Sequence, residues 1–409
     1  MTATDALIAA ARDHVRHWRL DAAIAGLDAL LAREPASAGA HFLRGEALFL
    51  QRRIAEALAS HAAAVRYGID RDPELRASCM SWLIPGDFAW TSHMLLGDFE
   101  SAWRLADAGR VQRAAAGITG RDWPRHLRPI WDGSDLSGRR VLVRCYHGLG
   151  DTIHFIRYVP MLAARAAAVC VEVQPQLLPL VSGLDGIDRV FALPEGQGET
   201  AREAYGCEVE IDVTELPHAF RTTLATIPAS VPYLAARQNR TAPSAAGSLP
   251  ERRRLAVGLT WAAGSWKPDR SIPIAMLGPL GEIPGLSLHS LQRGPEHERW
   301  RAAQDGPSIA GTLESDEIEE TAAVMARLDL VITVDTMVAH LAGALGVPVW
   351  LLLHFAADWR WLLDRSDSPW YPTMRLFRQP SPGDWDSVVG DVCRMLRSGA
   401  PCRAGGRRY

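Results

Sequence analysis

The 409-residue sequence has six cysteines, Cys79, Cys145, Cys170, Cys207, Cys393 and Cys402, and no two of them form a CxxC pair. Neither a disulfide framework nor a zinc site is expected from such scattered positions, and a reducing compartment is favoured. A basic excess is also missing. Lys and Arg number 44 against 47 Asp and Glu, for a formal net charge of -3. That excludes a chain that works by coating nucleic acid, so no nucleic-acid partner is expected. Long apolar runs are absent. LDLVITV and VPVWLLL are each far too short to span a bilayer, so no transmembrane segment is expected. The opening MTATDALIAAARDHVRHW has no basic stretch followed by an apolar core, unlike a secretion signal. The expected location is cytoplasmic, with peripheral attachment at the inner membrane face as the alternative.

What is present is ordinary globular material, 48% hydrophobic and 22% charged. At roughly 150 residues per domain this predicts two to three domains. The first 115 residues read as helix pairs. RLDAAIAGLDALLAREP from Arg19 and RIAEALASHAAAVRYGID from Arg53 place Ala23 and Ala57 in register, 34 positions apart. That is the period of a tetratricopeptide repeat. The two alanines let backbones approach while Leu27, Leu30, Leu48 and Leu58 fill the seam. Pro35 closes the first pair and Ser37 is a candidate cap. A third unit is expected at LLGDFESAWRLADAGR, after an insertion near Pro85-Gly86. Such an array either offers a surface for a protein partner or packs as a helical cap that binds nothing.

After Asp122-Trp123-Pro124 the texture becomes strand, glycine turn, helix. VLVRCY reads as a strand, HGLGD as the turn and the residues from Ile153 as a helix. AAVCVEVQ, PQLLPLVSGL and RVFAL continue as strand, helix, strand. This alternation predicts a parallel α/β sheet, with ligands at the carboxyl ends of its strands. Residues 116–240 form this first α/β domain. Gly148 and Gly150 allow a tight turn where backbone approaches a ligand. Asp151 is either a general base or the cap of the helix. His147 and His154 either bind substrate or serve as structural hydrogen-bonders.

The small polar stretch Gln238–Pro250 marks an interdomain linker, 241–253. The pattern then restarts. LAVGLTW is a strand, AAGSWKPDRS a loop carrying Lys267 and Arg270, and SIPIAMLGPL the start of a helix with Ser271 as cap. LDLVITV is a buried strand running into Asp335-Thr336, with VAHLAGALG following as a helix. The first N–H groups of that helix make a ready anion site. Asp335 suits sugar hydroxyls, Thr336 adds a hydroxyl, and His340 lies one turn in. The plainer reading is an N-cap at Asp335 or Thr336 and a histidine that braces the turn. The aromatic stretch DWRWLLDRSDSPWY either stacks a nucleobase or packs a core. Residues 254–395 form this second domain, and 396–409 a basic tail.

These residues carry a resemblance. DLVITVDTMVAHLAGALGVPVWLLL is similar to the donor-binding segment of the family 9, heptosyltransferase-like glycosyltransferases, and GLGDTIHFIRYVP to that family's N-terminal GD motif. The wider context resembles bacterial proteins that join tetratricopeptide repeats to such a domain, through LLGDFESAW, RPIWDGSDLSGRRVLV, DRSIP and SLQRG. The resemblance implies a GT-B fold, two Rossmann-like domains facing a cleft, preceded here by an all-α tetratricopeptide-repeat region. It implies metal-independent transfer from a nucleotide-diphosphate sugar, a co-substrate, to a glycan, lipopolysaccharide-type or protein acceptor, with no cofactor. The base aspartate matches Asp151. The phosphate-binding helix start matches Thr336, Met337 and Val338, the sugar-contacting aspartate Asp335, and the following histidine His340. The basic loop residue matches Arg270, with Lys267 nearby. Gly148, Gly150, His147 and Gln292, the last in SLQRG, are further substrate-binding candidates.

Three departures stand out, one of them a loop between Trp261 and Arg270 that is shorter than usual. Met337 replaces a usual glycine, and Tyr146-His147 replaces a frequent Glu-Gln before GLGD. The rival reading is a repeat-based interaction scaffold whose transferase half is degenerate. A membrane-facing acceptor would suit a patch formed by Arg121, Arg125, Arg128, Arg139 and Arg140, although surface arginines are more often simply solvated.

Overall fold

A computed structural model describes residues 3–71, 88–117, 128–194, 196, 199–236, 255–264, 267–303, 305–313 and 315–399. The expected linker at 241–253, Arg121, Arg125, Cys79, Cys402, the Pro85-Gly86 insertion and most of the basic tail lie outside them. The chain divides into two compact units. One comprises residues 1–108 with 356–364, and the other comprises 109–355 with 365–409.

The first unit is helical. It holds α1 (Ala3–Arg16), α2 (Leu20–Arg33), α3 (Ala38–Leu50), α4 (Ile54–Arg66), α5 (Phe88–Leu96) and the start of α6 (Phe99–Ala115). Helices α2 and α4 start 34 residues apart, and Ala23 and Ala57 occupy the same place in each with no exposed surface. Gly45 explains how close α3 and α4 come, since a Cβ there would lie 3.3 Å from the carbonyl oxygen of Ala57. Leu27, Leu30 and Leu48 are buried as expected, while Leu58 is only half-buried. Ser37 occupies the N-cap position of α3 but its hydroxyl makes no capping bond. The expected third pair is present as α5 and α6.

Residues 356–364 fall in this unit rather than in the second α/β domain, where the sequence boundaries placed them. The cause is aromatic. Trp359 meets Trp90 edge-on at 5.5 Å and Phe99 at 6.5 Å, while Asp364 pairs with Arg52.

The second unit is α/β. Among the described residues it has two sheets, both wholly parallel. The first is built from β1 (Arg140–Arg144), β2 (Ala168–Val173), β3 (Arg189–Ala192) and β4 (Val209–Asp212), in the order β3-β2-β1-β4. The second holds β5 (Leu255–Thr260), β6 (Leu286–Ser290), β7 (Gly311–Thr312), β8 (Leu330–Val334), β9 (Val349–Leu353) and β10 (Met374–Arg378), in the order β10-β9-β8-β5-β6-β7. The helices that matter below are α7 (Leu149–Phe155), α8 (Pro295–Ala303), α9 (Ile318–Met325), α10 (Met337–Ala344) and α11 (Trp385–Arg397). Strands β8 and β9 are buried at every residue, which is why LVITV and VWLLL show no alternation. SIPIAMLGPL yields only short turns, Ile274–Leu277 and Gly278–Gly281, with Pro273 and Pro279 among them.

The strand orders mark where a crevice can form. In the first sheet the order reverses between β1 and β4, and in the second between β5 and β8. At such switch points adjacent loops leave in opposite directions and open a crevice at the carboxyl ends of the strands. The loops there are 145–148 after β1, the turn after Asp212, the 261–271 loop after β5, and Asp335-Thr336 after β8. Of the candidate site residues, all but Gln292 and His154 sit on these loops or on the first helical turn after them.

Candidate active site

Helix α7 starts directly after the glycine turn. Gly148 is its N-cap residue, and its N–H donates to Asp151 Oδ2 at 3.1 Å. The capping role of Asp151 is thus realised. Gly150 lies within the first helical turn, and its neighbour is not open space. A Cβ on Gly150 would lie 3.1 Å from His340 Cδ2 and 3.4 Å from Met337 Cα. The missing side chain therefore lets α7, whose first turn also carries Asp151, approach the start of α10.

Helix α10 is capped by Thr336, whose Oγ1 accepts the Val338 N–H at 3.3 Å. Asp335 ends the preceding strand loop, 4% exposed, and its Oδ2 lies 3.8 Å from Arg270 Nη1. Arg270 and Lys267 sit on a short turn, Pro268–Arg270, which Lys267 precedes. The loop that carries them is anchored at both ends. Ser271 Oγ accepts the N–H of Ala263 at 3.0 Å, and Ile272 N–H donates to the Trp261 carbonyl at 2.8 Å. Arg270 thus faces Asp335, Thr336 caps the helix that Met337 and Val338 begin, and Met337 and His340 lie against Gly150, the chain neighbour of Asp151. Gln292 has a different role. Its Oε1 accepts the N–H groups of Trp261 and Ala262 at 3.1 and 2.8 Å, and its Nε2 donates to the Arg293 carbonyl. It holds the loop, and at 7% exposure it presents little to a substrate.

His147 finds a partner that sequence reading did not single out. Its Nε2 stands 3.1 Å from Asp212 Oδ1 and 3.3 Å from Thr214 Oγ1. Its carbonyl accepts from Gln174 Nε2 at 2.7 Å, so the ends of β1, β2 and β4 are tied together. Glu215 is the adjacent carboxyl. It accepts the N–H groups of Ile130, Trp131 and Asp212. Burial, followed by the nearby Asp212 charge, still pushes its pKa up to about 7.

Behind the site lies a buried clasp. Arg157 donates to the carbonyls of His154 and Trp370 and to Tyr233 Oη. Its guanidinium stacks 4.3 Å from the Tyr371 ring centroid and 4.6 Å from that of Tyr233. His154 turns its Nδ1 toward Tyr371 Oη at 3.1 Å, and His340 does the same at 3.0 Å. The aromatic stretch is split between Trp359, packed in the helical unit, and Trp370 and Tyr371, which are fully buried in the α/β unit.

The arginine patch is largely neutralised where it is described. Arg128 pairs with Glu199 and Arg139 with Glu208, while Arg140 donates to the Gly206 carbonyl. Among the described residues, no helix is long and apolar enough to cross a membrane. No group of three or more His, Cys, Asp or Glu side chains there is placed to hold a metal ion.

Residues 291–352 match the family model of glycosyltransferase family 9 (heptosyltransferase). This is the segment from the loop after β6 to β9 and includes α10. Protein FlbA of Caulobacter vibrioides is 26% identical over 303 residues, 68% of this chain and 50% of that protein. The chain thus spans about half the length of the curated relative it matches. Among solved structures, the family 9 glycosyl transferase of Veillonella parvula superimposes with a TM-score of 0.50 at 15% identity. That alignment covers 65% of this chain and 98% of that one. The E. coli ADP-heptose lipopolysaccharide heptosyltransferase II gives 0.46 at 14% identity, over 64% and 99%. The Veillonella superposition supports a GT-B-like arrangement of two parallel α/β layers. The family 9 match thus lies within the α/β unit and includes the loop after β8 and the whole of α10.

Proposed function

We propose that the chain transfers a glycosyl group from a nucleoside-diphosphate sugar to a hydroxyl acceptor without a metal. The observation that carries this reading is the Gly150 approach. It brings the turn bearing Asp151 against the first turn of α10 within the segment matched to family 9. In this mechanism Asp151 accepts the proton of the acceptor hydroxyl as that oxygen attacks the anomeric carbon and the bond to the diphosphate breaks. The charge left on the diphosphate is met by Arg270, Lys267 and the N–H groups at the start of α10. Asp335 holds sugar hydroxyls and keeps Arg270 near them.

The helix pairs with their 34-residue offset are read as tetratricopeptide repeats that hold a protein partner or a polypeptide acceptor. Glycan and lipopolysaccharide-type acceptors fit the same chemistry. The test is release of nucleoside diphosphate from a panel of ADP-, UDP-, GDP- and CDP-sugars, with binding of the free diphosphates measured in parallel. Binding of one nucleotide class, lost in Arg270→Ala and Asp335→Ala, is expected. A folded protein that binds none of them would leave the interaction-scaffold reading in its place.

A further inference from the structure

Tyr371 lies between β9 and β10 and is fully buried. Its hydroxyl stands 3.0 Å from His340 Nδ1, 3.1 Å from His154 Nδ1 and 3.4 Å from Tyr233 Oη. Tyr233 gives its own proton to the Ile153 carbonyl at 2.8 Å and receives an N–H from Arg157 at 2.9 Å. Toward Tyr371 it can therefore only accept. Burial first, and Tyr233 second, hold the Tyr371 phenol well above its ordinary pKa, so the proton stays on.

A phenol has one proton to give, and a neutral imidazole carries its proton on one nitrogen only. Both imidazoles are nearer to Tyr371 than Tyr233 is. The arrangement that uses both short contacts has the hydroxyl donating to one Nδ1 and accepting an Nδ1–H from the other. The two histidines then hold opposite tautomers. Of the two imidazoles, His340 is the one on the first turn of α10. Its Nδ1 side is tied to Tyr371, while its Cδ2 edge lies over Gly150. Nε2 is bonded to Cδ2, so that corner is turned toward the first turn of α7, beside the start of α10.

We propose that Tyr371 is a positioning residue for the donor site. It donates to His340 Nδ1, accepts from the Nδ1–H of His154, and so fixes His340 as the Nε2–H tautomer, which donates that N–H to an oxygen of a nucleoside diphosphate when one is bound. The ligand in this statement rests on the glycosyl-transfer reading above. The fold makes room for the arrangement. A Cβ on Gly343 would lie 2.5 Å from the Tyr371 ring, so only glycine lets the phenol lie against α10.

Two measurements test it on the full chain. ADP, UDP and GDP are titrated calorimetrically into the wild type, Tyr371→Phe, His340→Ala and the double variant. Whichever nucleotide binds the wild type is expected to bind Tyr371→Phe about tenfold more weakly. The double variant is expected to be no weaker than His340→Ala, since the phenol acts through the imidazole. Wild-type affinity in Tyr371→Phe beside a weakened His340→Ala would overturn the proposal, and so would additive losses.

The second measurement needs neither a nucleotide nor a Tyr371 variant. Long-range proton–nitrogen spectra of 15N-histidine-labelled wild type report each tautomer, with signals assigned by their loss in His154→Gln and His340→Gln. Nε2–H on His340 and Nδ1–H on His154 are expected, and any other pair of tautomers overturns the proposal. If none of the nucleotides binds the wild type, the donor-site reading fails, while the spectra still decide the tautomers.

Discussion

Gly150 and His340 touch across the two parallel sheets. The position of a Cβ on Gly150 would be 3.1 Å from His340 Cδ2. This contact is where the loops of both topological switch points converge. An alanine there meets the imidazole edge a few tenths of an ångström too closely and touches the Met337 backbone, while a valine adds two more carbons beside these neighbours. Gly150→Ala is expected to cost about 1 kcal/mol and Gly150→Val 3 kcal/mol or more. Nucleotide affinity should fall in the same order. Urea unfolding and diphosphate titration check this, and a fully stable Gly150→Val would remove the contact from the argument.

Asp151 combines a cap and a proposed base, and one substitution separates the two. An asparagine oxygen still accepts the Gly148 N–H but cannot take a proton from a hydroxyl. Asp151→Asn is therefore expected to melt close to the wild type and to turn over at least about a hundredfold more slowly. Asp151→Ala should lose the same turnover together with about 1 kcal/mol of stability. The readouts are nucleoside diphosphate release and thermal melting of both variants. Normal turnover in Asp151→Asn would take the base role away.

Arg144 is the centre of a buried charge network in the first sheet. Its Nε donates to Glu210 at 2.6 Å, its Nη1 to Glu172 at 3.0 Å, and its Nη2 to the Thr200 carbonyl. Burial works against the guanidinium charge, but Glu210, Tyr146 and Glu172 outweigh it and keep its pKa above the ordinary arginine value. Removing one side of such a network strands the other. Arg144→Met is expected to destabilise by about 3–5 kcal/mol. Arg144→Lys should recover only part of that, since an ammonium cannot reproduce the fork. Denaturant midpoints of the two variants give the comparison, and equal losses would contradict the geometry.

Much of this architecture was legible in the sequence. The apolar runs LVITV and VWLLL and the glycine turn at 148–150 pointed to parallel strands with loops at their carboxyl ends, and the offset of Ala23 and Ala57 pointed to paired helices. Asp335, Thr336 and Arg270 were also readable, because each sits on the loop that follows a strand. What stayed hidden was tertiary. Asp212 ends an unremarkable strand, and only the β1–β4 pairing sets it against His147. Tyr371 and Tyr233 are separated by 138 positions and meet through the Arg157 clasp. Gly150 looked like a turn glycine for ligand approach, whereas the ångströms it frees are taken up by α10. Trp359 leaves the α/β unit for a cluster with Trp90 and Phe99, which no local pattern announces.

Glu215 gives the fold a pH dependence of predictable sign. Its pKa in the folded protein is raised to about 7 from an ordinary 4.5, by burial first and the Asp212 charge second. An acid with a raised folded pKa binds its proton more tightly when folded. The stabilisation this brings is present in full below pH 4.5 and is lost as the pH rises through 7. This term therefore weakens the protein between about pH 5 and 8, opposite to the usual effect of a salt-bridged carboxylate. Glu215→Gln keeps an oxygen for the Ile130, Trp131 and Asp212 N–H groups and carries no charge to desolvate. It is expected to melt higher than the wild type at pH 8, by about 2 °C or more, and to lose that advantage at pH 5. Melting curves of both proteins at the two pH values decide it. A constant gap between them would mean that the Glu215 carboxyl titrates alike in the folded and unfolded chain.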